Sequence, residues 1–263
     1  MLKVIKKIIK YPRLTQGYPK IPLDSSMFIG KPEIDGEKCS GCEECLKRCP
    51  SNAIVRDEFT NEIGINYDTC IFCTLCEEVC TKGAISMTNK FELAEKNRND
   101  LRKNTLIIEE RNIPDQSYEI IGNTLKKKIK NVFGRRLQIR EVDSGSCNGC
   151  DYEINGLNNP FNDVERLGIN FVASPRHADM LLVTGTATRN MELALIKTYN
   201  ATPDPKLVVA VGACACSGGV FRDTYATRNG IDCIIPVDVY IPGCPPRPQA
   251  ILYGILKAID KVK

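Results

Sequence analysis

Two copies of one cysteine motif dominate the first third of the chain. Residues 39–50 read C-S-G-C-E-E-C-L-K-R-C-P, and residues 70–81 read C-I-F-C-T-L-C-E-E-V-C-T. Both have the spacing C-x2-C-x2-C-x3-C, and the second copy starts 31 residues after the first. Because the chain has 14 cysteines, a single His and no recognisable secretory leader, these thiols are expected to bind metal rather than to form disulfides.

This spacing is typical of 4Fe–4S clusters in bacterial two-cluster ferredoxins. Three thiolates from one tight loop bind three corners of a cubane, and the fourth comes from the other copy of the motif. The sequence therefore predicts an α+β two-cluster ferredoxin domain over residues 37–90. Its expected ligands are Cys39, Cys42, Cys45 and Cys80 for cluster 1, and Cys70, Cys73, Cys76 and Cys49 for cluster 2.

From about residue 138 the pattern changes to short runs of Val, Ile and Leu that alternate with helical segments. Examples are LQIREVD, DMLLVTG, KLVVAVG and VDVYIPG, with RNMELALIKTYN between the second and third. Such runs predict an α/β domain of the flavodoxin-like kind, with a mainly parallel sheet covered on both faces, over residues 138–263. Ligands of such sheets bind in loops at the carboxyl ends of the strands.

Three cysteine-bearing segments, SGSCNGC, GACACSGG and PGCPP, each follow one of these strands. No single one of them could close a four-ligand site, so a third site would have to be assembled from several loops. Glycines around these cysteines are expected to let backbone N–H groups approach sulfur. They are Gly145, Gly149, Gly212, Gly218, Gly219 and Gly243.

The segments EVDSGSCNGCDYE, SPRHADMLLVTG, GACACSGG and VDVYIPGCPPRPQAILYGI together resemble the small subunit of membrane-bound, energy-converting nickel–iron hydrogenases. That family includes the complex I subunit that holds its last cluster. Residues 1–95 likewise resemble the two-cluster ferredoxin subunit of formate hydrogenlyase complexes, through IKKIIK, GKPE, CIFCTLCEEVC and FELA. The chain thus resembles two neighbouring subunits fused end to end.

The resemblance implies a third 4Fe–4S cluster, with Cys147, Cys150, Cys214 and Cys244 as its ligands. Cys216 is the rival of Cys214 within the same turn, and Cys233 is expected to be a buried thiol that behaves as a small hydrophobe. The C-x2-C spacing of the first pair favours the hydrogenase branch, because the complex I branch is expected to carry adjacent cysteines. Related complexes that act on sulfur share the hydrogenase-like spacing.

Two segments outside these domains are basic. Residues 1–36 are expected to be a docking segment that opens with a short amphipathic helix ended by Pro12, and residues 91–137 a charged helical linker on a surface. The docking helix either packs on its own protein or contacts a partner or a lipid headgroup surface. No apolar run is long enough to span a bilayer.

The sequence allows two interpretations of Glu153 and two of His177. Glu153 either faces the large subunit, where it passes protons, or is an acid favoured by the start of a helix. His177 is either proton-active or a local hydrogen-bonding residue.

The expected function is electron transfer through three 4Fe–4S clusters. The resemblance implies a low-potential donor, either ferredoxin or a formate-oxidising partner, and a hydrogenase large subunit whose nickel–iron site evolves or takes up H2. It also implies membrane subunits contacted through the basic N-terminal segment, and a peripheral position on the cytoplasmic face of the membrane. The chain itself is expected to hold no complete active site, no catalytic residue and no nucleic-acid partner. The alternatives are a complex I-type dehydrogenase subunit that passes electrons to quinone or another acceptor, and a free-standing ferredoxin-like carrier.

Overall fold

The computed structural model describes residues 2–12, 14–19, 28–57, 62–102, 129–131 and 133–260. Two small antiparallel sheets form in the first half of the chain and a five-stranded parallel sheet forms in the second half. The expected order of an α+β ferredoxin-type domain followed by an α/β domain is therefore confirmed.

The ferredoxin-type domain is built from two similar halves. Strand β1 (Pro32–Ile34) pairs antiparallel with β4 (Ile85–Met87), and β2 (Ile54–Arg56) pairs antiparallel with β3 (Ile63–Ile65). Helices α2 (Glu44–Arg48) and α3 (Leu75–Glu78) each begin one residue before the third cysteine of a motif. Because β1 is a partner of β4, the antiparallel pairing begins ahead of residue 37, the expected start of this domain.

The second domain has five parallel strands. They are β5 (Leu137–Asp143), β6 (Ile169–Phe171), β7 (Met180–Thr184), β8 (Leu207–Val211) and β9 (Val239–Ile241). Their spatial order is β6-β5-β7-β8-β9, so the first strand lies between the second and the third. This is the flavodoxin-like order, in which a crevice opens at the carboxyl end of the strands beside the first one.

Within residues 137–260, four helices accompany this sheet: α4 (Gly149–Gly156), α5 (Arg189–Ala201), α6 (Gly212–Ser217) and α7 (Pro248–Ile259). All residues of β7 and β8 are buried, as expected of strands covered on both faces. On one face, Met180 and Leu182 pack in a cluster that includes Ile154 of α4 and Ile251 of α7.

The other face of the sheet shares its apolar cluster with the ferredoxin-type domain. Leu181 and Val208 of the sheet belong to the same buried cluster as Ile54 and Ile65 of the smaller domain. Each such side chain contributes about 1.5–3 kcal/mol when it is fully buried. The two domains are therefore joined by an apolar core and not only by the chain that connects them.

The start of the expected linker runs along the second domain. Glu95 and Tyr240 exchange two backbone hydrogen bonds of 3.0 and 2.8 Å, and a 3-10 helix follows at Arg98–Leu101. Most of the expected linker, residues 103–128, lies outside the described residues. The two hydrogen bonds between Glu95 and Tyr240 attach this part of the linker to the second domain.

The expected N-terminal helix is confirmed as α1 (Leu2–Lys10), which ends before Pro12. Ile5, Ile8 and Ile9 are exposed on it. Just beyond it, the backbone N–H of Gln16 donates to the carbonyl of Phe161 at 2.9 Å, which attaches this segment to the second domain. Among the described residues, none of the helices has both the length and the apolar character that crossing a membrane requires.

Candidate iron–sulfur sites

Four cysteines meet in a pocket between the two halves of the ferredoxin-type domain. Cys39, Cys42 and Cys45 of the first motif line it together with Cys80 of the second motif. The pocket holds about 370 Å³, counting the solvent at its mouth, and Ile34, Ile63 and Ile85 also line it. Burial, followed by repulsion from Cys39 and Cys42, raises the pKa of the Cys45 thiol.

A second pocket of about 370 Å³ brings together the complementary set. Cys70, Cys73 and Cys76 of the second motif line it with Cys49 of the first. Burial raises the pKa of Cys70 to about 12, and repulsion from Cys76, Cys49 and Cys73 adds to the effect. The fourth cysteine of each motif thus lies in the pocket of the other motif, as the expected ligand sets require.

Backbone N–H groups point at the sulfur atoms in both pockets. The N–H of Ala53 donates to Cys49 Sγ at 3.3 Å, and that of Ala84 donates to Cys80 Sγ at 3.2 Å. Each donor lies four residues after its cysteine, so the two copies of the motif form the same N–H···S hydrogen bond. Burial raises the pKa of Cys80, but the N–H groups of Ala84 and its neighbours outweigh it and lower that pKa overall. Such donors stabilise thiolates bound to a cluster.

A third group of cysteines lies at the carboxyl ends of three parallel strands. Cys147 and Cys150 follow β5, Cys214 follows β8 and Cys244 follows β9. Burial raises the pKa of Cys214 to about 11, with additional repulsion from Cys244 and Cys147. The pKa of Cys150 is raised further still, by burial and then by repulsion from the other three thiols. The four expected ligands therefore lie within electrostatic reach of one another.

Cys216, the other cysteine of the GACACSGG turn, faces the sheet. Cys216 is fully buried, and its Sγ lies 3.5 Å from the carbonyl oxygen of Ile241 and 3.9 Å from that of Ala210. Those carbonyls belong to β9 and β8, so the thiol packs against the sheet. Cys214, two residues earlier on α6, is half-buried beside Cys147 and Cys244.

Two glycines explain why α6 can approach the third group so closely. A Cβ at Gly212 would lie 2.6 Å from Cys150 Sγ, and φ there is +91°. A Cβ at Gly219 would lie 3.2 Å from Cys214 Sγ, again at a positive φ. Both positions therefore favour glycine.

At three other glycines an added Cβ would meet groups other than sulfur. A Cβ at Gly145 would meet Thr188, one at Gly218 would meet the carbonyl of Arg228, and one at Gly243 would meet Pro246. These three glycines allow close backbone packing away from sulfur.

The expected burial of Cys233 was wrong, because this thiol is exposed. It ends a 3-10 helix, Ile231–Cys233, in which Ile231 is fully buried, and Ile235 beyond it is buried as well. The two isoleucines take the core positions, so Cys233 is turned to the surface.

Each of the three groups offers four thiols, the number that one cubane binds. Among the described residues, no group of three or more His, Cys, Asp or Glu side chains is placed to hold a single metal ion. In a tetrahedral zinc site all thiolates reach one centre at about 2.3 Å. In a cubane each thiolate binds a different iron, so the four sulfur atoms stand further apart. The four thiols of each group match the one thiolate per iron that a cubane binds.

The second and third groups are neighbours. Burial raises the pKa of Cys244, and repulsion from Cys147 and from Cys73 of the ferredoxin-type domain adds to it. Cys73 belongs to the second pocket, so the second pocket and the third group lie within electrostatic reach of each other.

A carboxyl pair beside the third group was not anticipated. Burial, followed by the hydrogen bond and charge of Asp151, raises the pKa of Glu141 to about 7. Asp151 also accepts a 2.6 Å hydrogen bond from the Thr184 hydroxyl. Glu141 stands in a strand that also carries Gln138, Arg140 and Asp143, so the sequence alone does not single it out.

Glu153 and His177, for which the sequence allowed two interpretations each, lie in different environments. Burial raises the pKa of Glu153, and the nearby charge of Arg247 partly opposes this. His177 is exposed at the end of a 3-10 helix.

Comparison with known proteins agrees with this arrangement. Residues 147–258 match the family described as the NADH ubiquinone oxidoreductase 20 kDa subunit, and residues 31–81 match the 4Fe–4S dicluster domain. The "Probable membrane-bound hydrogenase subunit mbhJ" of Pyrococcus furiosus is 51% identical over 142 residues, which cover 52% of this chain and 84% of that protein. The chain belongs to the NADH ubiquinone oxidoreductase 20 kDa subunit family.

Two further relatives are similar over 43–55% of this chain. Formate hydrogenlyase subunit 7 of Escherichia coli is 48% identical over 145 residues, which cover 55% of either chain. An NADH-quinone oxidoreductase subunit of Geobacter metallireducens is 54% identical over 113 residues, which cover 43% of this chain and 66% of that one. The chain thus spans about half the length of the formate hydrogenlyase relative. It is an oxidoreductase subunit with an iron–sulfur dicluster domain fused ahead of the 20 kDa-type domain.

Proposed function

We propose that this chain is an electron-transfer subunit with three 4Fe–4S clusters, which relays electrons between a low-potential donor and the nickel–iron site of a hydrogenase large subunit. The donor would be ferredoxin or a formate-oxidising partner. The observation that carries the proposal is the succession of three four-cysteine groups, with Cys73 of the second beside Cys244 of the third. A bound 4Fe–4S cluster supplies one-electron redox chemistry.

The chain's own residues prepare these sites in two ways. Burial of Cys70, Cys150 and Cys214 keeps water from the sulfur atoms, and it makes the free thiolates costly until they are bound by metal. N–H donors such as those of Ala53 and Ala84 face sulfur at 3.2–3.3 Å and offset negative charge on a bound group.

The hydrogen chemistry would require a second protein. Two cysteines, Cys216 and Cys233, remain outside the three ligand sets, and one is buried against the sheet while the other is exposed. They could not supply the four thiolates expected of a nickel–iron site. The C-x2-C spacing of Cys147 and Cys150 and the hydrogenase names of two relatives support a hydrogenase large subunit as the partner.

A complex I-type role is the second candidate. It is favoured by the 54% identity to the NADH-quinone oxidoreductase subunit of Geobacter metallireducens. In that case the third group would pass electrons towards quinone or another acceptor.

The exposed face of α1 supports attachment to membrane subunits. Ile5, Ile8 and Ile9 are exposed, and the helix carries lysines and no acidic residue. We place the subunit on the cytoplasmic face of the membrane, with α1 as one contact to its membrane-embedded partners.

The test is to purify the tagged full-length chain from its host without oxygen and to identify its large partner. We expect the partner to contain two C-x2-C pairs and nickel, and the complex to evolve H2 from a reduced viologen. Cys244→Ser should abolish H2 evolution while the partner keeps its nickel, and Cys233→Ser is the matched control that should change neither. A nickel-free partner without H2 activity would refute the hydrogenase proposal, and quinone reduction would then favour the second candidate. Recovery of the chain as a monomer would favour a free-standing carrier.

A further inference from the structure

One arginine bridges the two domains next to both of the neighbouring sites. Arg98 Nε donates to Asp68 Oδ2 at 2.8 Å, and Arg98 Nη1 donates to Asp232 Oδ2 at 3.1 Å. Asp68 lies in the ferredoxin-type domain, two residues before Cys70, and Asp232 lies in the second domain. Nη1 also donates to the carbonyl oxygen of Asn229 at 3.1 Å.

A second bond crosses the same boundary. The Ser217 hydroxyl donates to the backbone carbonyl of Asp68 at 2.7 Å. Ser217 ends α6, three residues after Cys214. The chain beside Cys70 is therefore bonded directly to the helix that carries a ligand of the third group.

This contact is well shielded from water. Asp68 and Ser217 are fully buried, and the Arg98 side chain is 17% exposed. The Tyr240 hydroxyl donates to Asp232 Oδ2 at 3.3 Å and so helps to orient that carboxylate. A planar guanidinium can serve two carboxylates in fixed directions, whereas an ammonium group acts as a point charge.

We propose that Arg98 is a positioning residue, whose guanidinium locks the Cys70 loop against the second domain and thereby sets the gap between the second and third cluster sites. The inference rests on the proposed electron-transfer function, but not on the identity of the final acceptor. Because electronic coupling through protein falls steeply with distance, a small rotation of one domain would slow transfer across this gap. Both clusters could then still be bound.

Arg102 offers a matched control. Its Nε donates to the same Asp68 Oδ2 at 2.8 Å, and it also carries one positive charge. The side-chain contacts described for Arg102 are with Asp68 alone. Arg98→Gln and Arg102→Gln therefore remove the same charge from the same carboxylate, but only the first removes a bond to the second domain.

The experiment uses the full-length chain with its clusters, reduced by dithionite and examined by electron paramagnetic resonance. In the unmodified chain we expect the third-site signal to be split by its reduced neighbour. Arg98→Gln should reduce this splitting while iron content and the individual signals remain, and Arg102→Gln should keep it unchanged. Hydrogen exchange should rise around residues 68–70 and 217–232 in Arg98→Gln only.

Three results would overturn the proposal: no splitting in the unmodified chain, unreduced splitting in Arg98→Gln, or equal reduction in both variants. If Arg98→Gln does not fold, Asp232→Asn tests the same bridge from the other side, and unreduced splitting there would also overturn it. Nickel and H2 measurements on the native complex test the proposed function separately, so failure of one is distinguishable from failure of the other.

Discussion

Replacing the two cysteines of the GACACSGG turn in separate variants tests how the third site is built. Cys214 is half-buried beside Cys147 and Cys244, whereas Cys216 packs against β8 and β9. Cys214→Ser should therefore remove one ligand of the third cluster, and Cys216→Ser should remove none.

Cys214→Ser should change the iron content, whereas Cys216→Ser should change the stability. Three cubanes hold about twelve irons, so Cys214→Ser should lower the iron content to about eight per chain. In Cys216→Ser a hydroxyl on a shorter bond would replace a thiol whose Sγ lies 3.5 and 3.9 Å from its carbonyl acceptors, whereas a good O–H···O bond is roughly 2.5–3.0 Å long. A buried, poorly paired hydroxyl costs about 1–3 kcal/mol, so this variant should lose stability at unchanged iron content.

The assay is iron and acid-labile sulfide per chain, with thermal unfolding under anaerobic conditions. We expect a lower Tm for Cys216→Ser, by about 2–4 °C for each kcal/mol. Loss of about four irons in Cys216→Ser, with Cys214→Ser at full iron content, would refute the ligand assignment.

Three other results are expected. Gly212→Ala should lose the third cluster only, seen as about four missing irons, because the added Cβ would lie 2.6 Å from Cys150 Sγ at a φ of +91°; full iron content would contradict this. Since the pKa of Glu141 is raised to about 7 beside Asp151, the protonated carboxyl favours the folded state, and its contribution is complete below about pH 4.5 and is lost as pH rises through 7. Tm should therefore fall between about pH 4.5 and 7, and Glu141→Gln should flatten this fall; an equal slope in both proteins would exclude the carboxyl as its cause. A maleimide should label one thiol per cluster-loaded chain, and Cys233→Ser should abolish that labelling because Cys233 is exposed and outside the ligand sets; persistent labelling would point to an unbound ligand cysteine.

Much of the architecture could be predicted from local patterns. The repeated spacing around Cys39 and Cys70 specifies loops short enough that their geometry is nearly fixed by the residue count. The apolar runs of β7 and β8 indicated a doubly covered sheet, and in parallel sheets the carboxyl ends of strands share one edge. Segments after β5, β8 and β9 could therefore be expected to meet.

Features that depend on the packing of distant segments could not be predicted. Whether a thiol near a strand entry is buried depends on which neighbours occupy the core, and Ile231 and Ile235 displace Cys233 from it. The bridge runs from Asp68 through Arg98 to Asp232, and Arg98 and Asp232 are 134 positions apart in the sequence. Charged residues at such separations carry no periodic signal, so only the folded chain shows that they meet.

The most direct test of the three-cluster assignment is the iron and acid-labile sulfide content of the unmodified full-length chain, purified without oxygen. Three cubanes predict about twelve irons and about twelve sulfides per chain. About eight of each would contradict the third site formed by Cys147, Cys150, Cys214 and Cys244.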